Sequence, residues 1–252
     1  MRLFKYLLLL PAAVLASPRQ LGAGHVSVAA AANLVYVIEP LNAAFAKAAP
    51  DADVVSEIGA SGGLVAQIQN GAPYDVFLSA DTDYPKKLVK AGGATADSLF
   101  VFAKGRLVLW TFNPAVDLSS VSSAVGVAAK IAVANPETAP YGRAALEALG
   151  RLGIADAVKP KLVYGESVSQ TAQFVSSGNA DAGFVALSLV LSPKLKDKGR
   201  WVEVPADLYT PILQAGVLTK KGALNPDAKR YLEFLSSPEA KAILSRFGYG
   251  VP

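Results

Sequence analysis

The chain has 252 residues, 52% of them apolar, which is ample material for a core; it carries 24 Lys and Arg, 20 Asp and Glu, one His and no Cys. Without Cys there is no disulfide, thiolate nucleophile or Cys-ligated metal, and one His rules out a multi-histidine metal centre. That His, His25, is expected ahead of the first strand near the chain end, which leaves a Ser-His-Asp site without support. The formal charge of +4 is too weak and too evenly spread for a nucleic-acid footprint.

The first residues read as an export signal. Arg2 and Lys5 make a basic start, residues 6–15 an apolar run broken only by Pro11, and Val14-Leu15-Ala16 a cleavage site. The run is too short to cross a bilayer as a helix. Residues 1–16 are therefore expected to be removed, with a cut as late as residue 23 the alternative. An exported chain without Cys holds no lipid on an N-terminal cysteine, so the expected location is a periplasm in which the protein diffuses freely.

Roughly 230 residues remain, enough for one large or two small domains. Strands and helices alternate along them, the pattern of an α/β protein with parallel sheets. Residues 26–30 read as a strand, followed by a helix with Leu34, Ile38, Leu41 and Phe45 on one face. Residues 54–58 are β-rich, residues 64–69 helical, and Gly71-Ala72-Pro73 stops that helix. Next come a strand at 75–79 and a short basic helix at 85–90. Beyond a hinge, residues 106–110, 131–134, 162–164 and 182–185 read as strands, with helices at 142–149 and 168–176. Residues 201–204 and 211–218 are expected to flank a return crossing. The end is helical, and Asn225-Pro226 and Ser237-Pro238 each place a cap before Pro at the first helical position. No repeat or low-complexity linker interrupts the chain.

Four segments share one design of strand, small-residue loop and helix: residues 29–33, 59–63, 139–142 and 165–168. Each presents backbone N–H groups at the end of a strand, where open α/β sheets bind ligands, and small residues let an anion approach closely. A helix N-terminus carries roughly half a positive charge, so four facing one point would offset a dianion without Lys or Arg. Asn33 and Ser61 can add side-chain donors, and Tyr141 and Val168 main-chain N–H groups. Singly, each has a plainer reading: Asn33 and Ser61 as N-caps, Gly62-Gly63 as a turn, Tyr141 as a lid or surface aromatic, Val168 as core. Together they point to an anion site.

Other signals are weaker. The run Gly59-Ala60-Ser61-Gly62-Gly63 lacks the Gly-Lys-Ser/Thr ending of a P-loop. Asp75, Asp81 and Asp83 are candidate metal ligands or acids, but Asp81 before a helix reads as a cap and Asp75 at a strand start as structural. Glu137 and Glu166 are expected to point away from an anion. Arg143, the one cation near the loops, is expected on a solvated helix face.

These residues resemble the periplasmic molybdate-binding proteins of ABC transporters. The marks are Ala29-Ala-Ala-Ala-Asn33-Leu34, Gly59-Ala-Ser61-Gly-Gly-Leu64, Gly71-Ala-Pro-Tyr-Asp75-Val-Phe-Leu-Ser-Ala-Asp81, Asn135-Pro-Glu-Thr-Ala-Pro140-Tyr-Gly and the closing Arg246-Phe-Gly-Tyr. The resemblance runs from about residue 26 to the C-terminus. It implies an α/β fold of two Rossmann-like lobes joined by two hinge crossings, with the ligand cleft between them (a type II periplasmic binding protein). One lobe would take residues 25–104 and 207–252, the other 105–206. It implies molybdate or tungstate held by the side chains of Asn33 and Ser61 and the main chain of Tyr141 and Val168, with Ala32 a further candidate. Molybdenum would enter only as its oxyanion, with no protein–metal ligand and no cofactor. The implied protein is a monomer without enzymatic activity, and its partner is a membrane permease. One departure stands out: where some members have a ligand tyrosine after the fourth helix, this chain has Ala186, and Tyr141 is expected to compensate by covering the cleft.

Other functions have less behind them. Sulfate and phosphate differ from molybdate mainly in size. A ferric site needs several Tyr or carboxylate ligands, and an amino-acid site needs an Arg with an acid, for which only Arg143 is at hand. A periplasmic hydrolase would use Ser61 or Ser167, for which no general base is visible.

Overall fold

The computed structural model describes residues 24–252; the expected signal segment, 1–16 or as far as 23, lies outside the described residues. The chain opens with β1 (Gly24–Ala31), a 3₁₀ turn (Ala32–Leu34) and α1 (Ile38–Ala48). Leu34, Ile38, Leu41 and Phe45 are all buried, as their spacing requires. Then come β2 (Ala52–Gly59), α2 (Ser61–Gln69), β3 (Val76–Ser79), α3 (Asp83–Lys90) and β4 (Phe100–Gly105). The chain passes directly into β5 (Leu107–Thr111), then α4 (Val121–Val127), β6 (Ile131–Ala134), α5 (Pro140–Arg151) and α6 (Ala155–Val158). It continues through β7 (Leu162–Gly165), α7 (Val168–Ser176), β8 (Ala182–Ala186), α8 (Leu187–Val190) and β9 (Arg200–Glu203). Finally β10 (Ile212–Leu218), α9 (Pro226–Phe234) and α10 (Pro238–Arg246) complete it.

Two five-stranded sheets result, ordered β2-β1-β3-β10-β4 and β7-β6-β8-β5-β9. Both are mixed, where the alternation of strands and helices predicts parallel ones. Strand β10 runs antiparallel to β3 and β4, and β5 runs antiparallel to β8 and β9. The hinge explains this. A strand arriving from the other lobe enters its sheet at the edge where the parallel strands end, so it must run the opposite way. Helices cover each sheet, and the strand ends β1, β2, β3, β6 and β7 point toward the space between the lobes. His25 falls inside β1 rather than ahead of it, exposed and 3.3 Å from Asp53.

Helix starts are set by local chemistry. Asn225 accepts from the N–H groups of Asp227 and Ala228, and Ser237 from Ala240, each followed by Pro at the first helical position. Ser167 accepts from Gln170 and starts α7. Gly142 brings α5 against β6; a Cβ there would lie 2.0 Å from the Ala134 carbonyl oxygen. No helix among the described residues is long and apolar enough to cross a membrane.

Candidate functional site

The four loop segments meet at a single small cavity. Ala31, Ala32 and Asn33 come from the first, Ala60 and Ser61 from the second, Ala139, Pro140 and Tyr141 from the third, and Val168 from the fourth, with Ala80 at the end of β3. The cavity is far smaller than a pocket for a drug-sized ligand. None of the lining residues is charged. A larger open groove beside the hinge contains Arg143, but Asp81, Asp83 and Glu147 line it too and oppose an anion there.

Three α-helices begin at the cavity: α2 with Ser61 first, α5 with Tyr141 second after Pro140, and α7 with Val168 first. N–H groups at these positions have no carbonyl to reach within their own helix, and the helix dipole favours negative charge beside them. The first segment departs from the expected pattern. Asn33 lies in a 3₁₀ turn and α1 starts only at Ile38, so the site has three α-helix starts and a turn.

Neither Asn33 nor Ser61 is an N-cap. Ala31 and Ala60 occupy those positions, without a side-chain cap bond. Ser61 is 1% exposed, and its Oγ accepts from the Ala80 N–H at 3.1 Å, which leaves the hydroxyl proton free to donate. The Asn33 amide joins a buried network. Its Nδ2 donates to Gln214 Oε1 at 2.9 Å and to the Tyr249 hydroxyl at 2.7 Å, while its Oδ1 is buried without a partner. Gln214 Nε2 in turn donates to the Tyr141 hydroxyl at 3.2 Å, and Ser188 Oγ donates to the Asn33 carbonyl at 2.9 Å. Burial pushes the Tyr141 phenol well above its ordinary value and that of Tyr249 up to about 12, so both keep their protons at neutral pH. Tyr141 does not cover the cleft: it is 1% exposed, and its hydroxyl reaches inward to Gln214. Ala186 ends β8, fully buried, and does not line the cavity. Gln214, Ser188 and Tyr249 were invisible to periodicity, because each is joined to the loops only through folding.

At the mouth the lobes are joined. Gly62 N–H donates to the Thr138 carbonyl at 2.9 Å, and the Tyr84 hydroxyl to the Glu137 carbonyl at 2.6 Å. Arg143 is partly exposed, as expected, but not idle: it pairs with Asp81 of the other lobe, its guanidinium 5.3 Å from the centre of the Tyr84 ring. Asp81 also accepts from the Tyr84 N–H at 3.1 Å and from Ser79 Oγ at 3.0 Å. Its burial raises its pKa above the ordinary value, against the pull of these partners. Asp75 is structural, fully buried between the Ser27 N–H at 2.8 Å and Lys221 Nζ at 2.9 Å. Glu137 and Glu166 are exposed and do not line the cavity. No group of acidic or His residues suited to a metal ion occurs among the described residues. Ser61 Oγ meets a main-chain N–H, and Ser167 Oγ meets Gln170 N–H and Ser169 Oγ; neither has a carboxylate, imidazole or amine as a hydrogen-bond partner.

Two α/β lobes closing on a small, neutral, donor-lined cavity define a solute-binding protein. Comparison with known proteins agrees. The family model for bacterial extracellular solute-binding proteins matches residues 26–250. The molybdate-binding protein ModA of Azotobacter vinelandii is 43% identical, over 91% of this chain and 91% of its own. That of Rhodobacter capsulatus is also 43% identical, over 90% of this chain and 88% of its own. The solved Azotobacter vinelandii periplasmic molybdate-binding protein matches with a TM-score of 0.84 at 38% identity, covering 90% of this chain and 99% of that one. The chain therefore belongs to the bacterial extracellular solute-binding proteins, within the family of the molybdate-binding proteins.

Proposed function

We propose that the protein binds molybdate or tungstate in the cavity between its lobes and hands it to the membrane permease of an ABC importer, working as a freely diffusing monomer in the periplasm. The observation that carries this reading is a small, uncharged cavity at which three helices begin. A dianion there is stabilised by oriented N–H and O–H groups instead of a counter-charge. Ser61 and Asn33 act through their side chains, Tyr141 and Val168 through their main-chain N–H groups, and Ala32 stands beside them. The lobes that close on the ion are residues 25–104 with 207–252, and 105–206. Molybdenum enters only as its oxyanion, so no residue ligates the metal and no cofactor takes part. The protein carries out no chemistry on its ligand, since neither candidate serine has a base.

Calorimetry with a panel of oxyanions tests the reading. One ion per chain is expected, with molybdate and tungstate at least about tenfold tighter than sulfate, a gap of ~1.4 kcal/mol. Sulfate binding as tightly as molybdate overturns the ligand, and ester hydrolysis that vanishes in Ser61→Ala overturns the non-catalytic role.

A further inference from the structure

One polar atom of a residue that lines the cavity is left over. Asn33 lines the cavity, is 1% exposed, and its Oδ1 has no hydrogen-bond partner. At the far end of the same network a second group is left over. Tyr141 keeps its phenolic proton and accepts from Gln214 Nε2, but donates to no acceptor among the described residues. Unpaired buried polar groups are costly, and one rearrangement satisfies both. The oxygen and nitrogen of a primary amide occupy nearly equivalent positions. If Gln214 and Asn33 both turn over, Tyr141 donates to Gln214 Oε1 and Gln214 Nε2 donates to Asn33 Oδ1. Asn33 Nδ2 then takes the place of the orphaned oxygen. The contacts among Tyr141, Gln214 and Asn33 are kept with their direction reversed, and the Tyr249 hydroxyl moves its proton from the Asn33 carbonyl, 3.0 Å away, to Asn33 Oδ1, leaving that carbonyl to Ser188 Oγ. Turning Asn33 alone fails, because it sets two amide oxygens against each other.

The surroundings are built to hold this chain. Gln214 is fully buried on β10, whose register against β4 shifts between Gln214 and Ala215, a bulge that re-aims the side chain. Gly105 leaves the room: a Cβ there would stand 2.2 Å from the Tyr141 hydroxyl oxygen and 2.9 Å from Gln214 Nε2.

We propose that Gln214, anchored by the Tyr141 hydroxyl, is a positioning residue that turns the Asn33 amide nitrogen toward the bound ion, and so selects fully ionised tetrahedral oxyanions over those that keep a proton. The inference rests on the reading of the cavity as an oxyanion site. In the anchored orientation the amide offers the ion a donor and no acceptor. Molybdate, tungstate, sulfate and selenate carry no proton at neutral pH and lose nothing by this. Hydrogen phosphate and hydrogen arsenate each bring an O–H that finds no acceptor, and the site rejects them by leaving it unpaired.

Selenate and arsenate are nearly equal in size and differ in this proton, so their affinity ratio at pH 7 reads the mechanism directly. Competition calorimetry on the full chain compares wild type with Gln214→Met, Tyr141→Phe and the double variant. Each single change should weaken molybdate and selenate about 3- to 10-fold and leave arsenate unweakened, because the freed amide can turn its oxygen to the arsenate proton. The selenate-to-arsenate ratio narrows by the same factor, and the double variant loses no more than Gln214→Met alone, since both act through one chain of bonds. Tyr141→Phe keeps the main-chain N–H and carries the test if Gln214→Met folds poorly. Wild type that binds molybdate and selenate, with variants that keep its selenate-to-arsenate ratio, overturns this inference alone and leaves the network a structural brace. Wild type that binds neither ion overturns the oxyanion reading and this inference with it.

Discussion

Replacing Arg143 with alanine asks whether the ion pair at the cleft mouth holds the lobes closed. The guanidinium on α5 meets Asp81 of the other lobe and lies against the Tyr84 ring. The side chains are 40% and 13% exposed, too wet for a fully buried pair and too covered for a free one. Solvated pairs contribute ~0.2–1 kcal/mol, and a cation over an exposed aromatic face ~0.5–1 kcal/mol. Together they are on the order of 1 kcal/mol, or about a fivefold shift between closed and open forms. Because the pair spans the cleft, that factor passes into the apparent affinity and shows as faster release. Stopped-flow release of molybdate, with calorimetry for the equilibrium, measures it. Arg230→Ala is the control, for Arg230 pairs with Asp51 and Asp227 inside one lobe and should alter melting temperature without altering release. Equal release rates in wild type and Arg143→Ala would refute the latch. A loss beyond about 100-fold, more than ~2.7 kcal/mol, would mean that the arginine touches the ion, and the uncharged-cavity account would be wrong.

Ser61→Ala removes a donor to the ion and the acceptor of the buried Ala80 N–H. Affinity for molybdate should fall roughly 5- to 150-fold, equivalent to ~1–3 kcal/mol for a charge-assisted bond, and the ligand-free melting temperature should fall as well; a lower melting temperature with unchanged affinity would make Ser61 structural only. For Asp81, burial holds the carboxyl above its ordinary range. A raised folded pKa means that its stabilising contribution is complete below the ordinary value of about 4 and is lost as pH rises through the raised one. At pH 7 its charge is a net cost, so Asp81→Asn, which keeps an acceptor for the Tyr84 N–H, should melt no lower than wild type, with any difference shrinking toward pH 4. A variant melting well below wild type at pH 7 would show that the Arg143 pairing outweighs burial. The two partners differ because deleting the arginine strands a carboxylate and deleting the carboxylate does not.

Much of the architecture is legible in local pattern. The helix at 168–176 and the capped Asn225-Pro226 and Ser237-Pro238 starts match α7, α9 and α10 because caps and periodicity act over a few residues. Strand β4 (Phe100–Gly105) escapes a local reading, since its partner β10 lies more than a hundred residues on. Helix α4 (Val121–Val127) is short, with Gly126 inside it and an apolar residue, Val127, exposed at its end. At the site, the four small-residue loops converge on one cavity, and small residues at strand ends have a local signature. The partners that orient those loops have none. Asn33 meets Gln214 and Tyr249, and Arg143 meets Asp81, only once two lobes with two chain crossings have folded against each other. The same long-range closure makes Tyr141 a buried anchor instead of a lid.

Diffraction from crystals grown with molybdate, recorded on both sides of the molybdenum absorption edge, tests the central claim most directly, because the anomalous signal locates the metal without reference to the protein. The account predicts one peak in the cavity, its oxygens within hydrogen-bond reach of Ser61 Oγ, the Asn33 amide and the main-chain N–H groups of Tyr141 and Val168. A peak beside Arg143 in the open groove lined by Asp81 and Glu147, with the cavity unlabelled, would contradict it.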